Sequence, residues 1–202
     1  MAQALGALVE VLVGGPAWLV GHSAGAAIGA RLAIDRNEQV CGLVSLNGAW
    51  LPLRGWAWPL FSPLAQGLAL NPWVPSVVSW QARHPALVQG LLAGTGSTLS
   101  DPGRALYQRL VQDPEHVRGA LAMMARWDLS GLERDLGRLR AAVHLLTGER
   151  DQTIPPSHSD RVARLVPHAQ RAGLGPWGHL AHEEDPIGAA RAIDRAVRGA
   201  LA

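Results

Sequence analysis

The stretch Ala17-Trp18-Leu19-Val20-Gly21-His22-Ser23-Ala24-Gly25 decides the fold of this chain. Its apolar start, 17–20, predicts a buried strand, and the Ala-rich run that follows Ser23 predicts a helix. G-x-S-x-G between a strand and a helix is typical of a nucleophile elbow, a sharp turn that lifts a serine hydroxyl clear of the sheet. Glycines two residues before and after the serine let strand and helix approach without Cβ clashes. We therefore predict Ser23 as a nucleophile, with the backbone N–H of Ala24 facing an oxyanion.

The composition is that of a globular protein with one hydrophobic core. The chain has 202 residues, of which 48% are hydrophobic and 17% charged, a balance that excludes intrinsic disorder. All 18 basic residues are arginine, yet 16 acidic residues leave a net charge of only +2. Because the arginines are scattered rather than clustered, we expect no nucleic-acid partner.

Two features bear on the cellular compartment. The first residues lack the basic start of a secretory signal peptide, and Glu10 interrupts their apolar run. The single cysteine, Cys41, lies in an apolar run and is expected to be a buried, inert thiol. Both features fit a reducing, cytoplasmic compartment.

The uncharged stretch 55–82 is the candidate for membrane contact. Prolines at positions 59, 63, 72 and 75 interrupt it, whereas a spanning helix needs about 20 mainly apolar residues without such breaks. We expect an apolar segment that does not span a membrane. The alternative is an amphipathic element that lies weakly on a membrane surface.

The remaining pattern predicts an α/β fold, a mostly parallel sheet flanked by helices. A strand over 40–46 follows the Ala-rich helix, and strand, helix and strand within about 30 residues form a βαβ unit. Further strands are predicted over 142–146 and 169–174, and an amphipathic helix follows Asp185-Pro186.

Residues 50–137 show no strand alternation and predict a helical insertion into this fold. Its amphipathic stretches are 84–93, 103–112 and 114–126. Asp101-Pro102 and Asp113-Pro114 predict helix starts with Asp as the N-cap. We therefore divide the chain into a core, 1–49 and 138–202, and an insertion, 50–137.

Three residues that can form a catalytic triad follow predicted strands in the order Ser23, Asp151, His179. Because parallel strands present their carboxyl ends at one edge of a sheet, we expect the three side chains to meet there. His179 would take the proton of Ser23, and Asp151 would fix the imidazole tautomer. Ser23 would then attack a carbonyl carbon and form an acyl-enzyme.

Other residues compete for these roles. His182 is only three residues from His179, but Gly178 favours His179 because a glycine lets the loop return to the serine turn. Asp151 follows its strand at the expected short distance; the alternative acids are Glu149, Asp128 and Asp160. No histidine or cysteine spacing indicates a metal site, and we expect no cofactor.

Two further sets of side chains have a structural interpretation. His22 should point away from Ser23 and be held by a hydrogen bond. Five of the eight tryptophans lie between Trp50 and Trp80. They could line a pocket for a large flat ligand, or they could pack the core of the insertion.

The elbow and three other stretches together resemble a known family. They are Leu19–Ile28, Leu43–Gly48, Met123–Leu129 and Gly178–Glu184. The elbow is similar to that of the α/β-hydrolase superfamily. The combination resembles the magnesium-chelatase accessory proteins of bacteriochlorophyll biosynthesis in phototrophic bacteria, over essentially the whole chain.

The resemblance implies an α/β-hydrolase fold in which the insertion 50–137 is a lid over the active site. It also implies a role beside the insertion of magnesium into protoporphyrin IX, with magnesium chelatase as a partner. The corresponding location is the cytoplasm or the surface of the photosynthetic membrane.

The chain departs from the superfamily pattern before Ser23. The superfamily places the elbow after its fifth strand, and the first four strands have no counterpart here, so we expect a truncated copy or a misplaced start. Strand 17–20 should then be an uncovered sheet edge, which predicts poor stability or association through that edge. A second oxyanion N–H should be missing as well, at a cost on the order of 10²–10³ in rate.

Two functions of different classes follow from these residues. The first is a serine-dependent hydrolase that acts on an ester or related bond of a small acyl or tetrapyrrole ligand. The alternative is a non-catalytic accessory module that binds a porphyrin or contacts magnesium chelatase. A third interpretation is a cofactor-free haloperoxidase or an unrelated esterase of the same fold.

Overall fold

The computed structural model describes residues 1–52, 67 and 71–199. These residues form a four-stranded parallel sheet in the order β1-β2-β3-β4. The strands are β1 (Ala17–His22), β2 (Val40–Leu46), β3 (Ala142–Gly148) and β4 (Gln170–Gly175). The predicted α/β class is confirmed. The first and last residues of each predicted strand agree with those of the observed strand to within two residues.

Helices precede, connect and follow these strands. They are α1 (Ala2–Val13), α2 (Ala24–Asp35), α3 (Val74–Gln81), α4 (Pro85–Ala93), α5 (Asp101–Gln112), α6 (Pro114–Ala125), α7 (Ser130–Asp135), α8 (Pro156–Leu165), α9 (Ala181–Glu184) and α10 (Pro186–Gly199). Short 3₁₀ turns over Asn37–Gln39 and Leu136–Arg138 precede β2 and β3. Between β2 and β3 the described residues thus form helices joined by loops, and none of them forms a strand.

Two helix starts in this region test the predicted caps. Asp113 caps α6 as predicted, because its side chain accepts the N–H of Glu115 at 2.9 Å. At α5 the prediction is wrong by one residue, since the cap is Ser100, whose Oγ accepts the N–H of Gly103 at 3.4 Å. Asp101 lies inside the first turn, where a carboxylate interacts favourably with the helix dipole.

The two central strands, β2 and β3, are covered on both faces of the sheet. On one face Leu43 belongs to a buried cluster with side chains of α2, α7 and α8. On the other face Val44 packs in a cluster with Ala192 and Ala196 of α10. Because successive strand residues point to opposite faces, two buried faces explain the nearly continuous apolar sequence of β2.

Cys41 is exposed, so the expectation of a buried thiol is wrong. The register between β1 and β2 shifts at this point, because Ala17 pairs with Val40 and Trp18 pairs with Gly42. Cys41 is the extra residue of this irregularity and has no pairing partner on β1. Such a bulge re-aims a side chain, which removes this one from the buried alternation of the strand.

Strand β1 lies at one edge of the described sheet and pairs with β2 alone, as predicted. Val20 on this strand is half exposed, and Val11 and Leu12 of α1 are 81% and 72% exposed. An open strand edge beside apolar side chains is a surface on which another strand can pair.

None of the helices within the described ranges combines the length and the apolar character that a membrane crossing requires.

Candidate active site

Ser23 occupies a strained turn between β1 and α2. Its backbone has φ +50° and ψ −118°, a region that residues other than glycine rarely adopt. The Ser23 N–H donates to the carbonyl of Leu46 at 3.0 Å, and its carbonyl accepts from Ala26 at 3.2 Å and Ala49 at 3.0 Å. These three hydrogen bonds offset the strain and fix the predicted elbow at the carboxyl edge of the sheet.

The two glycines of the motif differ in whether a side chain would fit at their position. A Cβ on Gly21 would lie 2.6 Å from the backbone nitrogen of Ala26, so strand and helix leave no room for one. A Cβ on Gly25 would meet nothing within 4 Å. The predicted steric role is therefore confirmed for Gly21 and wrong for Gly25, which faces open space.

Ala24 is the first residue of α2. The backbone N–H groups of the first helical turn have no partner inside the helix, and they carry the positive end of its dipole. An N–H next to Ser23 at this position can donate to an oxygen that gains negative charge.

The carboxylate of Asp151 is buried and accepts four hydrogen bonds. Its Oδ2 accepts from Asn47 Nδ2 at 2.6 Å and lies 2.8 Å from His179 Nδ1. Its Oδ1 accepts the backbone N–H groups of Thr153 and Ile154, each at 2.8 Å. Four donors on two oxygens thus satisfy the hydrogen-bonding capacity of a carboxylate whose side chain has no exposed surface.

His179 is also buried, at 6% exposure. Because an ionised carboxylate only accepts, His179 Nδ1 must carry the hydrogen of the bond to Asp151. Its Nε2 is then left with a lone pair. This is the tautomer that a general base requires when a carboxylate orients it.

The structure brings Asp151 and His179 together, but among the described residues the Ser23 hydroxyl makes no hydrogen bond with His179. The neighbour of the serine makes the contact instead. The ring centroid of His22 lies 4.7 Å from that of His179. Catalytic hydrogen bonds are often long without substrate and tighten only when it binds, so this geometry is compatible with a triad.

The sequence profile of one family, described as the alpha/beta hydrolase fold, matches residues 1–186. The chain belongs to the α/β-hydrolase family. The predicted α/β-hydrolase fold is therefore confirmed.

Comparison with individual proteins shows which members of the family this chain is similar to. It is 38% identical over 183 residues to the magnesium-chelatase 30 kDa subunit of Rhodobacter capsulatus, with 91% of this chain and 63% of the relative covered. The chain thus spans less than two thirds of that relative. A membrane phospholipase A structure matches with a TM-score of 0.75 at 24% identity, over 99% of this chain and 62% of that one. A thermophilic esterase from Thermogutta terrifontis matches with a TM-score of 0.72 at 21% identity, over 98% and 71%.

His22 is held by a hydrogen bond, as predicted, and the bond is to the backbone of His179. Its Nε2–H donates to the His179 carbonyl at 2.9 Å. Burial, and to a smaller extent the neighbouring His179 ring, lower the pKa of His22 from 6.5 to about 4. His22 is therefore neutral above that pH, and it braces the loop that carries His179.

The rival histidine, His182, also lies beside His22. Its ring centroid is 4.4 Å from that of His22, and burial lowers its pKa. It lies 3.8 Å from Glu183 rather than on the Asp151 carboxylate. The geometry therefore favours His179 as the histidine that an acid orients.

The rival acids have other partners. Asp128 is exposed and accepts the N–H of Ser130 at 2.9 Å, and Asp160 forms an ion pair with Arg171. Glu149 is exposed at the end of β3. Asp151 is thus the acid that the described structure joins to a histidine of the site.

Asn47 is a site residue that sequence reasoning missed. It follows β2, has φ +47°, is 1% exposed, and donates to the acid. The sequence contains a signal that could have identified it, the Asn-Gly pair directly after a buried strand. Asparagine tolerates a positive φ, and this position lies at the same edge of the sheet as Ser23.

His158 on α8 is buried and has a structural role. Its Nε2 accepts the backbone N–H groups of Trp50 at 3.1 Å and Leu51 at 3.2 Å. Burial, and to a smaller extent the positive charge of Arg161, lower the pKa of His158 to about 4. The neutral ring can therefore accept both bonds and hold the chain that leaves β2 beneath the site.

The tryptophans of the insertion divide into different environments. Trp50 is buried and donates its indole N–H to Ser45 Oγ at 2.8 Å, which is a packing role. Trp73 and Trp80 are 76% and 60% exposed. Trp56 and Trp58 lie outside the described residues.

Within the described ranges, no group of three His, Cys, Asp or Glu side chains has an arrangement that could hold a metal ion.

Proposed function

We propose that this chain is a serine-dependent hydrolase that cleaves an ester or related acyl bond with Ser23, His179 and Asp151. The observation that supports it best is the buried Asp151 carboxylate at 2.8 Å from His179 Nδ1, beside a serine on a strained strand-to-helix turn. Membership of the α/β-hydrolase family supports the same reaction class.

The residues act in two steps. His179 Nε2 takes the Ser23 hydroxyl proton while Oγ bonds to the substrate carbonyl carbon, and the leaving group then departs with that proton. His179 then deprotonates a water molecule, which attacks the acyl carbon; the bond from that carbon to Ser23 Oγ breaks, His179 returns the proton to Oγ, and the acid is released. Asp151 stays ionised throughout and stabilises the imidazolium that forms in each step.

We further propose that the Ala24 N–H stabilises the oxyanion of the tetrahedral intermediate. Its place at the first turn of α2 supports this role, because helix N-termini favour negative charge. Residues 50–137 would form a lid that shapes the substrate pocket, as their helical content and their place between β2 and β3 suggest.

The test is labelling by a fluorophosphonate, which reacts with an activated serine hydroxyl. The unmodified chain should gain one probe, detected by intact mass. Ser23→Ala should gain none, and His179→Ala should react far more slowly. Circular dichroism must show that each variant is folded.

A non-catalytic accessory function is the second candidate. The observation that favours it is the 38% identity to a magnesium-chelatase subunit. On this proposal the chain serves magnesium insertion in bacteriochlorophyll biosynthesis, with a tetrapyrrole as its ligand and magnesium chelatase as its partner. Saturable quenching of tryptophan fluorescence by protoporphyrin IX, unchanged in Ser23→Ala, would support it; an absence of quenching would oppose it.

We also propose a weak contact of the insertion with a membrane surface. Trp73, which caps α3, and Val77 and Trp80 within it are spaced to share one face and are 76%, 50% and 60% exposed. No acidic residue lies between Glu38 and Asp101, a stretch whose charges are Arg54 and Arg83. Exposed tryptophan beside positive charge suits an anionic lipid surface. The chain should sediment with anionic vesicles and Trp80→Ser less so; equal recovery of the two would contradict the proposal.

A further inference from the structure

A loop of the insertion lies against both turns that carry the acid and the histidine. This loop, Thr95–Thr98, joins α4 to α5 and is called the 95–98 loop. The carbonyl of Thr95 accepts two backbone N–H groups, from Gln152 at 3.3 Å and from His179 at 3.1 Å. Because Gln152 follows Asp151 directly, one carbonyl ties the acid turn to the histidine turn.

Three consecutive backbone N–H groups, from residues 178 to 180, are tied to the 95–98 loop. The central one is that of His179, on Thr95. The N–H of Leu180 donates to Ser97 Oγ at 2.8 Å. The N–H of Gly178 donates to Glu184 Oε2 at 2.7 Å, and Glu184 Oε1 accepts the N–H of Thr98 at 2.8 Å. The Glu184 carboxylate therefore bridges the histidine turn and the loop.

The 95–98 loop, the turn of Asp151 and the turn of His179 pack so closely that none of them can shift without moving the others. Gly96 has φ +76°, and a Cβ on it would lie 2.1 Å from the carbonyl oxygen of Arg150. A Cβ on Gly178 would lie 2.3 Å from the carbonyl carbon of Gly96. Gly178 is thus required by contact with the 95–98 loop, and not by a return of the chain to the serine turn.

We propose that Glu184 and Ser97 are positioning residues that hold His179 through its backbone. Through them the 95–98 loop sets the direction of the imidazole between Asp151 and Ser23. The proposal rests on the proposed triad. Both residues act on main-chain N–H groups beside His179, so their effect is on the rate of the chemical step rather than on substrate binding.

The chemistry of Glu184 predicts a graded response to substitution. A carboxylate that accepts two N–H groups makes stronger hydrogen bonds than a neutral group, and its removal leaves two donors without a partner. Glu184→Gln keeps one acceptor oxygen, while its NH₂ group cannot accept from the second N–H. Adjacent Glu183 is the matched control, because its carboxylate accepts from the Tyr107 hydroxyl at 2.5 Å instead.

The experiment measures fluorophosphonate labelling of the full chain at several probe concentrations, which separates the maximal rate from the concentration that gives half of it. Glu184→Ala should lower the maximal rate about 10- to 100-fold with the half-saturating concentration unchanged, as expected for a misplaced base. Glu184→Gln should lie between Glu184→Ala and the unmodified chain. Ser97→Ala should reduce the rate, and Glu183→Gln should leave it unchanged.

A second measurement does not depend on activity. The Nδ1 proton of His179 and the exchange rates of the amide protons of residues 178–180 are followed by NMR in the same variants. In Glu184→Ala the Nδ1 resonance should shift or broaden and these amides should exchange faster, while Glu183→Gln stays as the unmodified chain. If the unmodified chain is not labelled, the proposed function fails and the NMR result alone decides the positioning role. A folded Glu184→Ala with an unchanged Nδ1 resonance and unchanged labelling would overturn the proposal.

Discussion

His179 Nδ1 lies 2.8 Å from Asp151 Oδ2, and the same oxygen accepts the amide of Asn47 at 2.6 Å. One carboxylate oxygen thus joins the ends of three parallel strands, β2 through Asn47, β3 through Asp151 and β4 through His179. In the proposed triad the acid is therefore held in place before substrate binds, which spares the site any reorganisation during the reaction.

Removing the charge of Asp151 should nearly abolish labelling. In Asp151→Asn the amide can donate to His179, which favours the tautomer with a hydrogen on the wrong nitrogen. We expect the labelling rate to fall by about 10³–10⁴ with the fold retained. Asp128→Asn, in an exposed turn, is the control and should react at the unmodified rate. A fall of less than tenfold in Asp151→Asn would mean that another acid serves His179.

Adding a charge at Asn47 should make stability depend on pH in a predictable direction. Asn47→Asp keeps the size of the side chain and tolerates the positive φ, but two carboxylates at 2.6 Å cannot both ionise. One pKa is raised above its unfolded value of about 3.9. The pair is therefore tolerated below that value, and stability is lost as the pH rises through the raised pKa.

Urea unfolding of Asn47→Asp at several pH values between 4 and 8 checks this expectation. The free energy of unfolding, relative to the unmodified chain, should decrease as the pH rises, by about 1.4 kcal/mol for each unit by which the pKa is raised. Asn71→Asp, on an exposed segment, should show no such trend. A pH-independent difference for Asn47→Asp would contradict the proximity of the two side chains.

The two glycines of the elbow should respond differently to alanine. Gly21→Ala places a Cβ against the backbone of Ala26, which cannot move without displacing α2, whereas Gly25→Ala fills open space. We expect Gly21→Ala to abolish labelling and to lower the melting temperature. Gly25→Ala should keep the melting temperature or raise it slightly, since alanine favours a helix by up to about 1 kcal/mol over glycine. Equal melting temperatures for the two variants would contradict the packing of β1 on α2.

Acid should destabilise the fold through its buried neutral histidines. Burial lowers the pKa values of His22 and His158 to about 4, so the unfolded chain binds protons between pH 6.5 and 4 that the folded chain does not. The free energy of unfolding should therefore fall as the pH falls through this range, by up to about 3 kcal/mol for each ring. For His158 the cause is burial with Arg161 nearby, partly offset by the negative charge of Asp151.

Denaturant unfolding of His158→Gln between pH 7 and 4 measures how much one of these rings contributes to the pH dependence of stability. The glutamine oxygen can accept from Trp50 and Leu51 but does not titrate, so the decrease in stability should be smaller than in the unmodified chain. His116→Gln, exposed on α6, should follow the unmodified curve. An unmodified chain equally stable at pH 7 and pH 4 would exclude this contribution.

Local patterns were sufficient to predict the sheet and the acid–histidine pair. The G-x-S-x-G turn has a short-range steric cause, the contact of Gly21 with Ala26, and the order of parallel strands brings the ends of β1, β3 and β4 to one edge. Asp151 and His179 could be predicted because each follows its strand within a few residues.

Contacts between distant segments could not be predicted in this way. The 95–98 loop meets the turns of Asp151 and His179 through backbone carbonyls and N–H groups, which every residue carries and no motif marks. The sequence therefore drew attention to Gly178, but the explanation given for a glycine at this position was wrong. The exposure of Cys41 depends on a register shift that alternation along one strand cannot show.

Fluorophosphonate labelling of the full chain beside Ser23→Ala and His179→Ala is the sharpest test of Ser23 as a nucleophile activated by His179. Each folded sample is read by intact mass over time. We expect one probe on the unmodified chain, none on Ser23→Ala and a rate lower by orders of magnitude for His179→Ala. Labelling that persists in Ser23→Ala, or a folded unmodified chain that gains no probe, would contradict this role of Ser23.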